Sequence, residues 1–390
     1  MDGGRTAHSA LKLPLNINVE EYPVYNINKT SGQAKVLQTC KILVWDECTM
    51  AHKKSLETLD RTLRDLRKND QLLGGSQLLL AGDFRQTLPV IPNSTPADEL
   101  NACLKTSSLW KFVKRFTLKS NMRVRFFRNE TAQHFAHILQ QIGEGTFPTD
   151  SNGEISFTDD FCTQIKTVQE LVNKIYPGIA ENYKNHDWLC ERAILAAKND
   201  AVHELNSRIQ EMIPVPVTEY RPIDTVVDSD DAVNFPTEFL NSLDPPGMSP
   251  HRLHLKIGSV IILLRILDPP KLCNGTRLSV KRLLTNTIEA TILTGKEKGQ
   301  DVFIPRIPLV PTDIPFSFKR LQFPVRLAFA ITVNKAQGQS IRWCGVNLES
   351  PCFSHGQLYV ACSRVSSPNH HFIHAPGGKT KNVVYRQALD

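Results

Sequence analysis

The sequence predicts an α/β protein with a mostly parallel sheet, because short apolar runs of strand length alternate with amphipathic helical stretches. Two of those runs end abruptly in polar residues. Lys41-Ile42-Leu43-Val44-Trp45 leads into Asp46-Glu47, and Gln77-Leu78-Leu79-Leu80-Ala81 leads into Gly82-Asp83. Between them, residues 52–69 carry Leu56, Leu59, Leu63 and Leu66 at helical spacing on one face and charge on the other. A strand–helix–strand unit of this kind is the repeat of doubly wound folds, which bind ligands at the carboxyl ends of their strands.

Both apolar runs read as parallel strands buried in the sheet. Residues 129–142 form a further expected helix that closes near Gly143 and Gly145. A second α/β block begins near Arg192, with a strand over 193–197 and a helix over 200–212. Residues 214–252 are rich in Pro, Asp and Ser and read as a long surface excursion. From 257 to 326 the texture becomes β: strands are expected at 260–264, 277–284, 287–293 and 300–305, with turns at Asn274-Gly275 and Gly295. This predicts a small barrel-like insertion. Helical and strand signals resume from Arg326 to the end.

A chain of 390 residues predicts two or three domains at roughly 100–200 residues each. Its 41% hydrophobic and 22% charged residues are those of an ordinary globular protein. No run approaches the ~18 apolar residues of a membrane span, and the first residues have no signal-peptide core. The nine cysteines are irregularly spaced without a C-x-x-C, which argues against zinc and against a disulfide framework and suits a reducing compartment. The net charge of +7 permits nucleic-acid binding without showing it.

Several short segments could carry chemistry. An acid at the position of Asp46 holds Mg²⁺ in phosphoryl-transfer enzymes, and its neighbour Glu47 can polarise an attacking water. Taken alone, such a pair is more often a solvated strand end or a helix cap. Gln86, in Gly82-Asp83-Phe84-Arg85-Gln86-Thr87-Leu88-Pro89-Val90, could hydrogen-bond a water and a γ-phosphate oxygen, or belong to a plain polar loop. Arg123, in Leu118-Lys119-Ser120-Asn121-Met122-Arg123, and Arg364, projecting from Leu358-Tyr359-Val360-Ala361-Cys362-Ser363-Arg364, could each neutralise a transferring phosphoryl group. Each could also be a surface arginine or half of an ion pair. The small and amide side chains of Thr332-Val333-Asn334-Lys335-Ala336-Gln337-Gly338-Gln339-Ser340 suit close approach to phosphates or sugars, or a helix terminus packed on a strand.

In this order and spacing the segments resemble those of the Pif-type, RecD-like DNA helicases of superfamily one, especially forms carried by Helitron-type transposons. Trp45-Asp46-Glu47 is similar to that family's Walker B motif, and Gly82 to Val90 to its third motif. Asn121-Met122-Arg123 resembles the fourth, Thr332 to Gln339 the fifth, and Tyr359 to Arg364 the sixth. Leu59-Asp60 through Gly74-Gly75-Ser76-Gln77-Leu78 looks like the family's signature segment, and Thr6-Ala7-His8-Ser9 like its early single-strand contact motif.

The resemblance implies two RecA-like P-loop NTPase motor domains, here 1–126 and 127–390, with an SH3-like β insertion at about 270–322 in the second. It also implies ATP hydrolysis coupled to 5′-to-3′ movement on single-stranded DNA. By the same likeness, Asp46 and Glu47 hold Mg²⁺, and Glu47 activates water. Gln86, Arg123, Gly338 and Arg364 contact the nucleotide, with Gln86 and the arginines sensing the γ-phosphate. His8, Thr332, Asn334 and Gln337 line the DNA. Asn334 departs from the family, where His is frequent; it keeps hydrogen bonding and loses ring stacking. Nuclear residence follows as an expectation from DNA as substrate. Repair, recombination and telomere maintenance are roles of the wider family, and transposition is that of the transposon-borne branch.

The phosphate-cradling loop G-x-x-x-x-G-K-[ST] does not occur in the sequence. Gly377-Gly378-Lys379-Thr380 contains G-K-T, but Ile373 occupies the first required glycine position. In the family that loop precedes Walker B, so the chain reads as beginning partway through an incomplete first motor domain. Expected consequences are weak or absent ATP hydrolysis by these residues alone and an exposed apolar sheet edge. Two other readings stand beside the helicase: a non-catalytic single-strand-binding remnant, and an unrelated α/β hydrolytic enzyme using Asp46 and Glu47 as an acid–base pair.

Overall fold

The computed structural model describes residues 6–14, 17, 23–91, 94–120, 122, 130–226, 235–245, 247–311, 314, 316 and 318–390. They form two compact units. One comprises Met1–Phe161, Pro351–Pro368 and Gly377–Asp390; the other comprises Cys162–Ser350 and Asn369–Pro376.

In the first unit the strands Ile42–Trp45 and Gln77–Leu80 pair in parallel, from Ile42 opposite Gln77 to Trp45 opposite Leu80. The Lys53–Arg67 helix connects them. It starts where His52 Nδ1 accepts from the Lys54 N–H at 3.1 Å and ends at Lys68, which takes a left-handed conformation. Leu59, Leu63 and Leu66 bury against Leu11, Leu37 and Tyr25, as their spacing predicts.

The Leu59-to-Leu78 segment has a clear local logic. The buried Asp60 carboxylate accepts from the Leu73 N–H at 2.6 Å and pairs with Arg64 at 2.9 Å. Gly74, at φ +58°, lies where a Cβ would come within 2.6 Å of the Leu63 carbonyl oxygen, so only glycine closes this turn.

The expectation that both strands are buried is corrected. Alternate side chains of a strand leave opposite faces. Leu43, Trp45 and Leu78 turn toward packed hydrophobic neighbours. On the other face Ile42, Val44 and Leu79 remain 58%, 45% and 55% exposed.

The same unit holds the Glu130–Glu144 helix, which ends two residues later than predicted and has Gly145 at φ +66° beyond it. The Gln357–Cys362 helix packs on it, so closely that a Cβ on Gly143 would lie 2.9 Å from the Tyr359 ring. Lys379–Lys381 pairs antiparallel with Glu154–Ser156. The Gly-Lys-Thr of Gly378-Lys379-Thr380 is thus strand and turn rather than a phosphate loop. Its Lys379 ammonium sits 2.9 Å from Asp150, holding that carboxyl down at about 2.

The second unit is built on a parallel five-stranded sheet. Its order is Ala330–Thr332, Arg192–Ala196, Trp343–Asn347, His371–His374, Thr163–Ile165. Arg192–Ala196 is buried along its whole length. Asn206, on the Asn199–Glu211 helix, accepts from the Ala330 N–H and donates to the Ala330 carbonyl, both at 2.9 Å, and so fixes that helix to the edge strand. The Tyr176 hydroxyl donates to the Phe329 carbonyl at 2.7 Å.

The expected β insertion is an antiparallel sheet ordered Asp301–Pro305, Thr287–Ile292, Arg277–Leu283, Val260–Leu263, Val325–Leu327. Leu278, Val280, Ile288 and Ile304 fill its core.

The long surface excursion expected at 214–252 is also corrected. Ile223–Val226 pairs with Phe318–Gln322, which pairs with Ile307–Leu309. The Thr237–Ser242 helix contributes Leu240 to a core with Met248 and Phe318. Asp224 and Arg320 are both fully buried and meet as a fork, Nε to Oδ1 at 2.9 Å and Nη2 to Oδ2 at 2.8 Å. Arg320 also donates to the Leu240 and Leu243 carbonyls at 3.0 and 3.1 Å. Mutual neutralisation lets an Asp and an Arg occupy an interior that composition alone assigns to the surface.

Candidate functional site

The parallel ladder of the first unit continues past its strands. The Ala81 N–H donates to the Trp45 carbonyl at 2.9 Å, and the Cys48 N–H donates to the Ala81 carbonyl at 3.0 Å. Asp46-Glu47 and Gly82-Asp83 therefore leave the sheet side by side, at its carboxyl end. A Cβ on Gly82 would lie 2.8 Å from Thr49 Cγ2 and 3.2 Å from Cys48 Sγ, so glycine permits the two chain ends to close together.

Glu47 adopts φ 49° and ψ 38°, a left-handed conformation that costs a non-glycine residue about 1–2 kcal/mol. Strain of this kind is held in place by surrounding structure and concentrates at functional positions. The Asp46 carboxylate is exposed and accepts from the Glu47 N–H at 3.0 Å. Adjacent carboxylates at a strand end suit Mg²⁺, which takes one or two protein oxygens and completes its shell with water and phosphate. Among the described residues no cluster of three His, Cys, Asp or Glu forms a fuller cage. Burial pushes the neighbouring Cys48 thiol up to about 12; a backbone N–H opposes the shift and the Asp46 and Glu47 charges add to it.

The loop after the second strand is clamped. Arg85 forks onto Asp83, Nε to Oδ1 at 2.9 Å and Nη2 to Oδ2 at 3.1 Å, and its guanidinium lies 5.4 Å from the Tyr359 ring centroid. The Tyr359 hydroxyl donates to Asp83 Oδ2 at 3.0 Å. Burial, with the Asp83 charge behind it, pushes that phenol up to about 12. Gln86 turns back through its N–H to the Asp83 carbonyl at 3.0 Å. Its side-chain oxygen is buried and has no hydrogen-bond partner among the described residues.

Arg364 follows the Gln357–Cys362 helix in the same unit. The expectation that it projects is corrected, because Nε donates to the Val360 carbonyl at 2.8 Å and Nη2 to Ser363 Oγ at 2.7 Å. The guanidinium folds back over the end of its own helix, where the dipole favours a cation. His8 lies in the short Ala7–Leu11 helix. Arg123 lies outside the described residues.

The remaining predicted residues belong to the second unit. Thr332 ends an edge strand of the parallel sheet and stands at the N-cap of the Val333–Ala336 helix without a side-chain cap bond. Asn334 and Gln337 are half-buried on and just after that helix. Gly338 has φ +75°, and a Cβ there would meet nothing within 4 Å. Its glycine serves backbone conformation and leaves open space beside it.

The structure thus gathers Asp46, Glu47, Gln86 and Arg364 in one unit and Thr332, Asn334, Gln337 and Gly338 in the other. Sequence reasoning did not single out Asp83, Arg85, His355 or Tyr359. Opposite charges two residues apart were a usable signal for Asp83 and Arg85. Tyr359 meets Asp83 across 276 positions, for which no local pattern exists.

Comparison with known proteins bears on the fold and on the family the chain resembles. The PIF1-like helicase family matches residues 1–153, and the family described as DNA helicase Pif1, 2B domain, matches residues 238–283. The ATP-dependent DNA helicase PIF1 of Danio rerio is 24% identical over 384 residues, covering 94% of this chain and 51% of that protein. The ATP-dependent DNA helicase RRM3 of Saccharomyces cerevisiae is 26% identical over 404 residues, covering 93% of this chain and 55% of its own length. The chain spans about half the length of the curated relatives it matches.

Among solved structures, the Pif1 helicase from Candida albicans aligns with TM-score 0.65 at 21% identity, over 99% of this chain and 84% of that one. Bacteroides Pif1 bound to ssDNA aligns with TM-score 0.63 at 19% identity, over 99% and 80%. These likenesses show the fold class, an α/β protein of two RecA-like domains. The chain is thus similar to PIF1-like helicases over residues 1–153 and to the Pif1 2B domain over residues 238–283, the second within the stretch that leads into the β insertion.

Proposed function

We propose that these residues carry the machinery of an ATP-dependent DNA helicase acting 5′ to 3′ on single-stranded DNA, with nuclear residence following from the substrate. The observation that carries the reading is the pairing of the Asp46-Glu47 strand end with the Gly82–Gln86 strand end, on a chain whose relatives are named ATP-dependent DNA helicases. Asp46, with Glu47, would hold Mg²⁺, which when bound neutralises charge on the phosphates. Glu47 polarises the attacking water, and Gln86 reads the γ-phosphate. Arg123 and Arg364 neutralise charge on the transferring group, with Gly338 near phosphate. His8, Thr332, Asn334 and Gln337 follow the DNA backbone, which needs no base preference.

The test is ATP hydrolysis by this chain, with and without single-stranded DNA, beside Glu47→Gln. DNA-stimulated turnover that falls by about 10²–10⁴-fold in Glu47→Gln supports the motor. A second reading is single-strand binding without hydrolysis, carried by the Thr332–Gly338 turn. Its signature is salt-sensitive DNA binding without turnover. Turnover indifferent to Glu47→Gln contradicts both.

A further inference from the structure

His355 occupies a position that nothing in the proposed reaction uses, yet it is completely buried. Its Nδ1 accepts from the Tyr385 N–H at 2.8 Å, and its Nε2 lies 2.7 Å from the Phe84 carbonyl oxygen. A backbone N–H can only donate, so Nδ1 carries the lone pair and Nε2 the proton. The ring is neutral in this arrangement and bridges the Gln86 loop to the segment that leads into the Arg364 helix.

The next residue tightens the same contact. Gly356, at φ +70°, sits where a Cβ would lie 2.3 Å from the Arg85 carbonyl oxygen and 2.7 Å from that of Gln86. One turn further on, Tyr359 holds Asp83 at 3.0 Å. Three successive features of 355–359 therefore grip residues 83–86, all within one compact unit.

We propose that His355 and Tyr359 are positioning residues that hold the Gln86 loop and the Arg364 helix in a single register. The inference rests on the reading of Gln86 and Arg364 as nucleotide-contacting groups. It explains why a side chain with a buried, unpartnered oxygen keeps a defined place: its backbone is fixed from outside the loop.

The His355 bridge is protonation-specific. A second ring proton removes the acceptor for Tyr385. The groups facing the ring are Asp83 on the loop and the Tyr385 phenol stacked at 5.3 Å; Glu99 stands one residue further off, accepting from the neighbouring Ser354 hydroxyl at 2.9 Å. Burial lowers the imidazole below its ordinary value of 6.5, and the Phe84 carbonyl and the Asp83 charge oppose that without reversing it. A folded value below the unfolded one means the neutral ring's contribution is complete above about 6.5 and is lost as pH falls toward the folded value.

The experiment is hydrogen exchange of the whole chain without nucleotide, corrected for the intrinsic pH dependence, so its outcome does not depend on hydrolysis. His355→Leu is expected to lower protection of residues 83–88 and 357–364 about tenfold, with 192–196 unchanged. His355→Gln, which keeps a donor and an acceptor, is expected to restore protection and to abolish the loss that wild type shows below pH about 6.5. Should His355→Leu fail to fold, Tyr359→Phe keeps the packing and is expected to lower protection of 83–88 about threefold. Protection within about twofold of wild type in folded His355→Leu or in Tyr359→Phe overturns the proposal. So does wild-type pH dependence in His355→Gln. ATP turnover and the Glu47→Gln control separately decide whether Gln86 and Arg364 serve a nucleotide.

Discussion

Two strands with nearly the same sequence character have opposite fates. Arg192–Ala196 lies between Ala330–Thr332 and Trp343–Asn347, with helices on the sheet, and is buried at every residue. Among the described residues Ile42–Trp45 pairs only with Gln77–Leu80, and its residues alternate between exposed and half-buried. A run such as Ile-Leu-Val-Trp specifies a strand that can be buried on both faces, but burial needs neighbours that the run itself does not encode. The five-stranded sheet carries the Thr332–Gly338 turn, whereas Asp46-Glu47 leaves a sheet on which Ile42, Val44 and Leu79 are exposed.

The comparison can be broken by substitution. Leu195→Ala, in the fully buried strand, is expected to cost about 2–5 kcal/mol in urea unfolding followed by Trp188 and Trp343 fluorescence. A cost below about 1 kcal/mol would mean the parallel sheet packs no better than its smaller counterpart. Gly345→Ala tests the same sheet from the opposite direction. Its Cβ would lie 2.9 Å from Ile175 and 3.1 Å from Leu171, so overpacking of about 1–3 kcal/mol is expected by the same measurement.

The smallest stability effect belongs to the exposed face. Leu79→Thr is expected to change unfolding, read through Trp45 and Trp110, by no more than about 0.5 kcal/mol. It should also reduce self-association in sedimentation, because it removes part of an apolar patch. A large stability loss there would show that Leu79 is covered in solution.

Much of the architecture was legible because it is periodic. The leucines of 53–67, the strands of the β insertion and the strand–helix pair at 192–211 all fall within a residue or two of their expected bounds. What was missed is non-local. Asp224 looks like a surface residue until Arg320, 96 positions away, closes on it. His355 looks like a loop histidine until the Phe84 carbonyl, 271 positions away, accepts from its Nε2–H. Arg364 was expected to project, and a carbonyl of its own helix holds it back.

By itself the sequence determined the repeating strand and helix pattern, the motif order that resembles the Pif-type family, and the polar residues at strand ends, since each of these is written in neighbouring positions and obeys local geometry. Only the tertiary structure decided which strands are buried, that 223–226 and 318–322 form one sheet around an ion pair, and that His355, Gly356 and Tyr359 hold the Gln86 loop. Those outcomes depend on groups brought together from distant parts of the chain, where a charge is neutralised or a close approach permitted only by the partner that the fold supplies.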